Sequence, residues 1–175
     1  MSASLPLRKA RLFLALWPRP AVRAAMAQYC ATWQWPKKAA LVRVEKLHLT
    51  LHFIGDVERG RLPELREQLK ASFEAFDLQF GIPEVWPHGL AVLRPHAAPA
   101  ALLRLQAVLG ERLKGLALPV DGREFQPHVT LARRAGEAVP PAQSAAIEWH
   151  VDRYALVESG FDAKRTYTVL ADYAT

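Results

Sequence analysis

The chain has 175 residues, 51% apolar and 23% charged, which suits one domain with a sizeable core and is too short for two ordinary domains. No apolar run approaches the roughly 20 residues of a membrane span, and the first dozen residues lack the apolar stretch and cleavage site of a secretory signal. Cys30 stands alone, which excludes an internal disulfide or a cysteine-rich zinc site and makes a cytoplasmic location the default expectation, while a formal charge of +6 favours a polyanionic partner.

Residues 11–17 (RLFLALW) are apolar and closed by Pro18, the pattern of a buried strand. From Pro20 the period changes: Val22, Met26, Tyr29 and Trp33 fall at helical steps behind a first-turn proline, and Trp35-Pro36 ends the run. A short strand at 41–44 leads to a clear one at 47–54, stopped by Gly55-Asp56. Leu62, Leu65, Leu69, Phe73 and Phe76 mark the apolar face of a second helix. Phe76, Leu78, Phe80 and Ile82 then alternate with small or polar residues as in a half-buried strand, so Phe76 is claimed twice. Residues 89–93 form a further strand before Pro95. Pro99 opens a third helix carrying Leu102, Leu105, Leu109 and Leu113. Strands follow at 126–133 and 147–151, and a hairpin at 154–159 and 166–171 closes the chain.

The order of elements repeats. Each half has a strand ending in proline, a helix opened by proline, and a strand carrying His-x-Thr. Pro18 and Pro95 lie 77 residues apart, and His48 and His128 lie 80 apart, which points to duplication of a strand–helix–strand unit within one two-lobed domain spanning 1–175.

Side chains alternate across a strand, so His48, Thr50 and His52 share one face of HLTLHF, and His128 and Thr130 share one face of PHVTLA. The apolar alternates anchor each strand, leaving His and Thr about 7 Å apart on a rigid platform. Two imidazoles with ordinary pKa near about 6.5 serve as one base and one acid, and two hydroxyls hold non-bridging phosphate oxygens. These parts suit in-line displacement at phosphorus. No metal site is expected: the zinc-helix motif is missing, and His48 and His52 on a strand lie about 13 Å apart. A phosphodiesterase for small cyclic nucleotides or 2′-5′ oligonucleotides, or a nucleotide-binding module without turnover, fits the same motifs.

The runs RLFLALWP, LHLTLHFIG and PHVTLAR resemble the two-histidine phosphoesterase superfamily, and within it the bacterial RNA 2′,3′-cyclic phosphodiesterases, also called 2′-5′ RNA ligases (LigT-like). The resemblance extends to the C-terminal VESGFDAKRTYTVL. It implies an α+β, bilobal, pseudo-twofold fold with two antiparallel sheets around a central groove and helices outside. It implies cofactor-free hydrolysis of RNA 2′,3′-cyclic phosphate ends to 2′-phosphomonoesters, with reversible 2′-5′ joining in some members. The expected partner is RNA with a cyclic phosphate or a 2′-5′ linkage, with no membrane and a monomeric protein. His48, Thr50, His128 and Thr130 match its catalytic positions, with His48 assigned as acid and His128 as base; the sequence does not fix that polarity. Arg133, Phe13 and Tyr167 are expected to bind substrate, although strict alternation aims Arg133 away from the groove unless a bulge intervenes. Ser159 matches a position near the groove. His52 is expected on the positive rim, and Trp33, Trp35 and Trp86 in packing. The closing hairpin reads GFDAKRT where the family is often glycine-rich, which puts its framing role in doubt.

Overall fold

The computed structural model describes residues 8–175, so most of the segment read for a secretory signal lies outside the described residues. Among the described residues nine strands and three α-helices follow in the order β1 (Lys9–Leu16), α1 (Pro20–Cys30), β2 (Ala40–Leu41), β3 (Leu49–Glu58), α2 (Leu62–Gln68), β4 (Phe76–Trp86), β5 (Leu90–Pro95), α3 (Ala100–Gly115), β6 (Val129–Arg133), β7 (Ile147–Val151), β8 (Arg153–Ser159) and β9 (Tyr167–Ala174). The described strand pairings are antiparallel, in the order β7-β4-β5-β6-β3-β1-β8-β9, with β2 on β6. Outward from the centre, β3-β1-β8-β9 answers β6-β5-β4-β7. The α+β class with two antiparallel halves is as expected. The halves are joined into one sheet through the pairing of Leu49 with Val129.

The prolines work as read. Pro20 opens α1, where a missing N–H removes no helical bond, and Pro99 caps α3. Leu102, Leu105, Leu109 and Leu113 of α3 are buried with Leu12, Leu14 and Leu16 of β1 and Met26 of α1, so one core joins the helices to one face of the sheet. The opposite face carries a smaller cluster of Phe13, Ala15, Ala155 and Val157, with Trp17 and Tyr167 packed against it. That second face is the groove.

Two boundaries differ from the sequence reading. The second helix ends at Gln68, well before Phe73, because the buried Tyr154 hydroxyl takes over the next backbone groups: it accepts from the Ala71 N–H at 2.7 Å and donates to the Leu69 carbonyl at 2.8 Å. Phe76 belongs to β4. The strand β3 also runs through Gly55, whose φ of +86° suits glycine and lets the chain bulge without stopping.

Candidate active site

The two motifs sit at the centre of the sheet. With Leu49 opposite Val129 in an antiparallel pair, the next positions face one another: His48 opposite Thr130, and Thr50 opposite His128. Exposure repeats residue by residue across the motifs, with Leu47, Leu49, Leu51 and His52 buried around half-buried His48 and Thr50, and Pro127, Val129, Leu131 and Ala132 buried around half-buried His128 and Thr130.

Both strands break alternation at the same place. Leu14 and Ala15 are consecutive on β1 but face His52 and Thr50, leaving Leu51 as an extra residue. Ala91 and Val92 are consecutive on β5 but face Ala132 and Thr130, leaving Leu131 as an extra residue. Each bulge reverses the facing of the residues beyond it. His52 therefore leaves the groove face, contrary to the expectation that it shares it: it is buried, its Nε2 donates to the Gln106 carbonyl of α3 at 2.7 Å, and Gly110 gives it room. Phe53 and Arg133 turn outward instead. The bulge that Arg133 needed is present.

The two histidines are held alike. Nδ1 of His48 donates to the Lys46 carbonyl at 2.6 Å, and Nδ1 of His128 donates to the Gln126 carbonyl at 2.7 Å. Since a carbonyl only accepts, the proton of each neutral ring is on Nδ1, and Nε2 carries the lone pair. On the His48 side that lone pair takes the Thr50 hydroxyl proton at 3.1 Å. Burial is the largest cause pushing the His48 pKa down to about 4, and the cations of Arg23 and Arg133 and the His128 ring push the same way against the Lys46 carbonyl. Burial likewise lowers His128, with help from Arg94 and Arg133. Arg133 thus acts on both rings, the one cation common to the causes of the two shifts.

The walls differ. His48 is enclosed by Phe13, Trp17 and Tyr167, with ring centroids 4.9, 5.5 and 5.6 Å away. Phe13 is only 4% exposed, so its contact falls on His48 and Tyr167 and leaves little surface for a base. Arg23 stacks 4.8 Å over Trp17, with its Nε and Nη2 buried and without a hydrogen-bond partner. Lys46 reaches from beneath Tyr167 to the Arg165 carbonyl at 2.9 Å, tying the closing hairpin to the His48 side without further glycines. Around His128 stand Trp86, at 4.5 Å, and an ionic clamp in which Glu84 accepts from both the Trp86 indole and Arg94.

The sequence does not single out Trp17, Arg23, Glu84 or Arg94, and the expectation that Trp86 serves in packing misses its contact with His128. Trp17 has the parity of Phe13, a signal that was readable; the others come from elements distant in sequence. Trp33 and Trp35 do pack on one another, with ring centroids 4.9 Å apart, and Ser159 is buried between β1 and β9. Among the described residues no cluster of three or more His, Cys, Asp or Glu has metal-binding geometry, and no helix is long and apolar enough to cross a membrane.

The groove can be compared with known proteins. The RNA 2′,3′-cyclic phosphodiesterase of Thermus thermophilus is 32% identical across 94% of this chain and 89% of its own length. The enzyme of the same name from Escherichia coli is 29% identical over 94% of this chain and 96% of its own. The crystal structure of E. coli LigT complexed with 3′-AMP superposes with a TM-score of 0.86, at 26% identity, over 95% of this chain and 98% of that one. A sequence profile described as the 2′-5′ RNA ligase superfamily matches residues 18–162, which include both His-x-Thr motifs. A match of that extent, on a fold shared nearly end to end, places the chain in the 2′-5′ RNA ligase superfamily.

Proposed function

We propose that this chain hydrolyses RNA 2′,3′-cyclic phosphate ends to 2′-phosphomonoesters, as one cytoplasmic, monomeric, two-lobed unit over residues 1–175 that arose by duplication. Reversible 2′-5′ joining is the accompanying activity. The observation that carries the reading is the repeated tether: two imidazoles, each with Nδ1 fixed on a main-chain carbonyl two residues back, leave two Nε2 atoms free for chemistry, and the charge of Arg133 acts on both rings.

With both rings neutral in the free protein, the acid gains its proton when an anion binds. A cyclic phosphate seated on Arg133 brings negative charge to the pair and works against the burial and the cations that hold His48 neutral, so Nε2 of His48 takes up a proton. Its Nε2–H then turns from Thr50 toward O3′, and the Thr50 hydroxyl proton is freed for a non-bridging oxygen. Water attacks phosphorus and gives a proton to Nε2 of His128. The P–O3′ bond breaks, and O3′ takes the proton from His48. Thr130 holds the other non-bridging oxygen. Phe13 and Tyr167 keep the His48 ring in its plane, and Tyr167 offers its partly exposed side to the terminal nucleoside. Exchange with solvent returns the proton from His128 to the start.

The test is incubation of EDTA-treated protein with an oligoribonucleotide ending in 2′,3′-cyclic phosphate. A 2′-phosphate product is expected. A 3′-phosphate product, no turnover, or turnover abolished by EDTA overturns the metal-free scheme.

A further inference from the structure

The quartet does not contribute evenly to the neighbouring cavity. A cavity of about 910 Å3 is lined by Thr50 and His128, while their counterparts Thr130 and His48 lie outside its lining. That volume is near the upper end for single-ligand sites, with room beyond one nucleoside. Phe53 and Phe125 line the same cavity, Phe53 three residues past Thr50 and Phe125 three before His128. Arg133 and Arg134 supply positive charge to its lining.

Phe53 is unusual within this frame. It lies on a strand next to the catalytic pair but is 60% exposed. Single exposed apolar residues are ordinary on protein surfaces, but this ring occupies the position that the repeat gives to Arg133 in the other half, just past the bulge. It pairs across strands with Phe13 on the groove face, and its edge lies over Gly55. The lining is mixed in charge, Arg123 being paired with Asp121 and Glu124 lying nearby, but an exposed aromatic ring in one cavity with Arg133 and Arg134 is the combination that takes single-stranded RNA, with a base on the ring and phosphate on an arginine.

Resting on the function proposed above, we infer that this cavity is a subsite for the penultimate nucleotide of the RNA end, whose base stacks on Phe53 and whose phosphate meets Arg134. A 2′,3′-cyclic end continues only in the 5′ direction, so the second nucleotide bound is the one before it. The subsite makes the protein prefer RNA ends to cyclic mononucleotides.

The experiment compares kcat/KM for a 2′,3′-cyclic mononucleotide and for a dinucleotide with a cyclic end. The wild-type protein is expected to prefer the dinucleotide. Phe53→Ala loses about tenfold on the dinucleotide, the size of one base–aromatic stack, and is unchanged on the mononucleotide; Phe53→Trp retains the preference. Equal turnover of the two substrates by wild type, or an equal loss on both in Phe53→Ala, overturns the subsite while leaving the proposed reaction standing. If neither substrate is turned over the proposed reaction fails, and fluorescence titration with the 2′-phosphorylated dinucleotide then decides the subsite: weaker binding in Phe53→Ala supports it, and equal binding overturns it.

Discussion

Around His48 the groove wall is aromatic, built from Phe13, Trp17 and Tyr167. Around His128 it is ionic, a tryptophan held by a carboxylate that also holds an arginine. The two motifs share strand register, bulge and tether, so the backbone supplies the same device twice. The lining makes the copies unequal. By register Trp17 and Arg94 hold equivalent places, one following Leu16, opposite Leu49, the other following Leu93, opposite Val129. Unequal walls give the two rings different surroundings, so a bound phosphodiester with distinct leaving and entering oxygens meets two sides that are not interchangeable.

The largest test removes each ring in turn. His48→Ala and His128→Ala are both expected to lower kcat by about 10² to 10⁴, the usual range for a lost acid or base, with the fold retained by circular dichroism. Near wild-type turnover by either variant breaks the idea that both halves are needed. An intermediate test uses the shared cation. With His48 near 4 and His128 also lowered, the singly protonated pair is most abundant between the two values, so the bell of kcat/KM against pH peaks on the acid side of about 6.5. Arg133→Met removes a charge that opposes protonation of both rings, so both values rise, the bell moves toward higher pH, and KM increases. A bell that stays in place shows that Arg133 does not act on the pair. The smallest effect separates the halves. Arg23 lowers His48, and its effect on His128 is not among the causes of that shift. Arg23→Met should therefore raise the His48 pKa in an NMR titration and leave His128 where it is, with Tm unchanged or higher because two buried, unpartnered donors are gone. Equal movement of both resonances contradicts the division of the walls.

Local pattern carried much of this in the sequence. The prolines before and within the helices, the spaced leucines of α3 and the two motifs each declare themselves over a few residues, and the offsets of 77 and 80 tie them into a repeat. What alternation misjudged turns on one residue per strand. The bulges at Leu51 and Leu131 depend on the partner strands β1 and β5, so nothing local marks that His52 turns to α3 while Phe53 and Arg133 face the groove. The early end of α2 has the same kind of cause, a tyrosine 83 residues further along the chain that captures the Ala71 N–H. Trp86 reads as packing because its parity alone does not reveal that His128 is its neighbour.

The tether has a consequence for sequence change. Positions 46 and 126 hold a lysine and a glutamine, yet they do the same work, because only their carbonyl oxygens touch the imidazoles. Side-chain replacement at either position leaves the acceptor in place, so the protonated nitrogen of each ring is buffered against drift at the residues that set it. The two side chains are thereby free for other contacts, as Lys46 shows by holding the closing hairpin, while the tautomer of each ring stays fixed by the main chain.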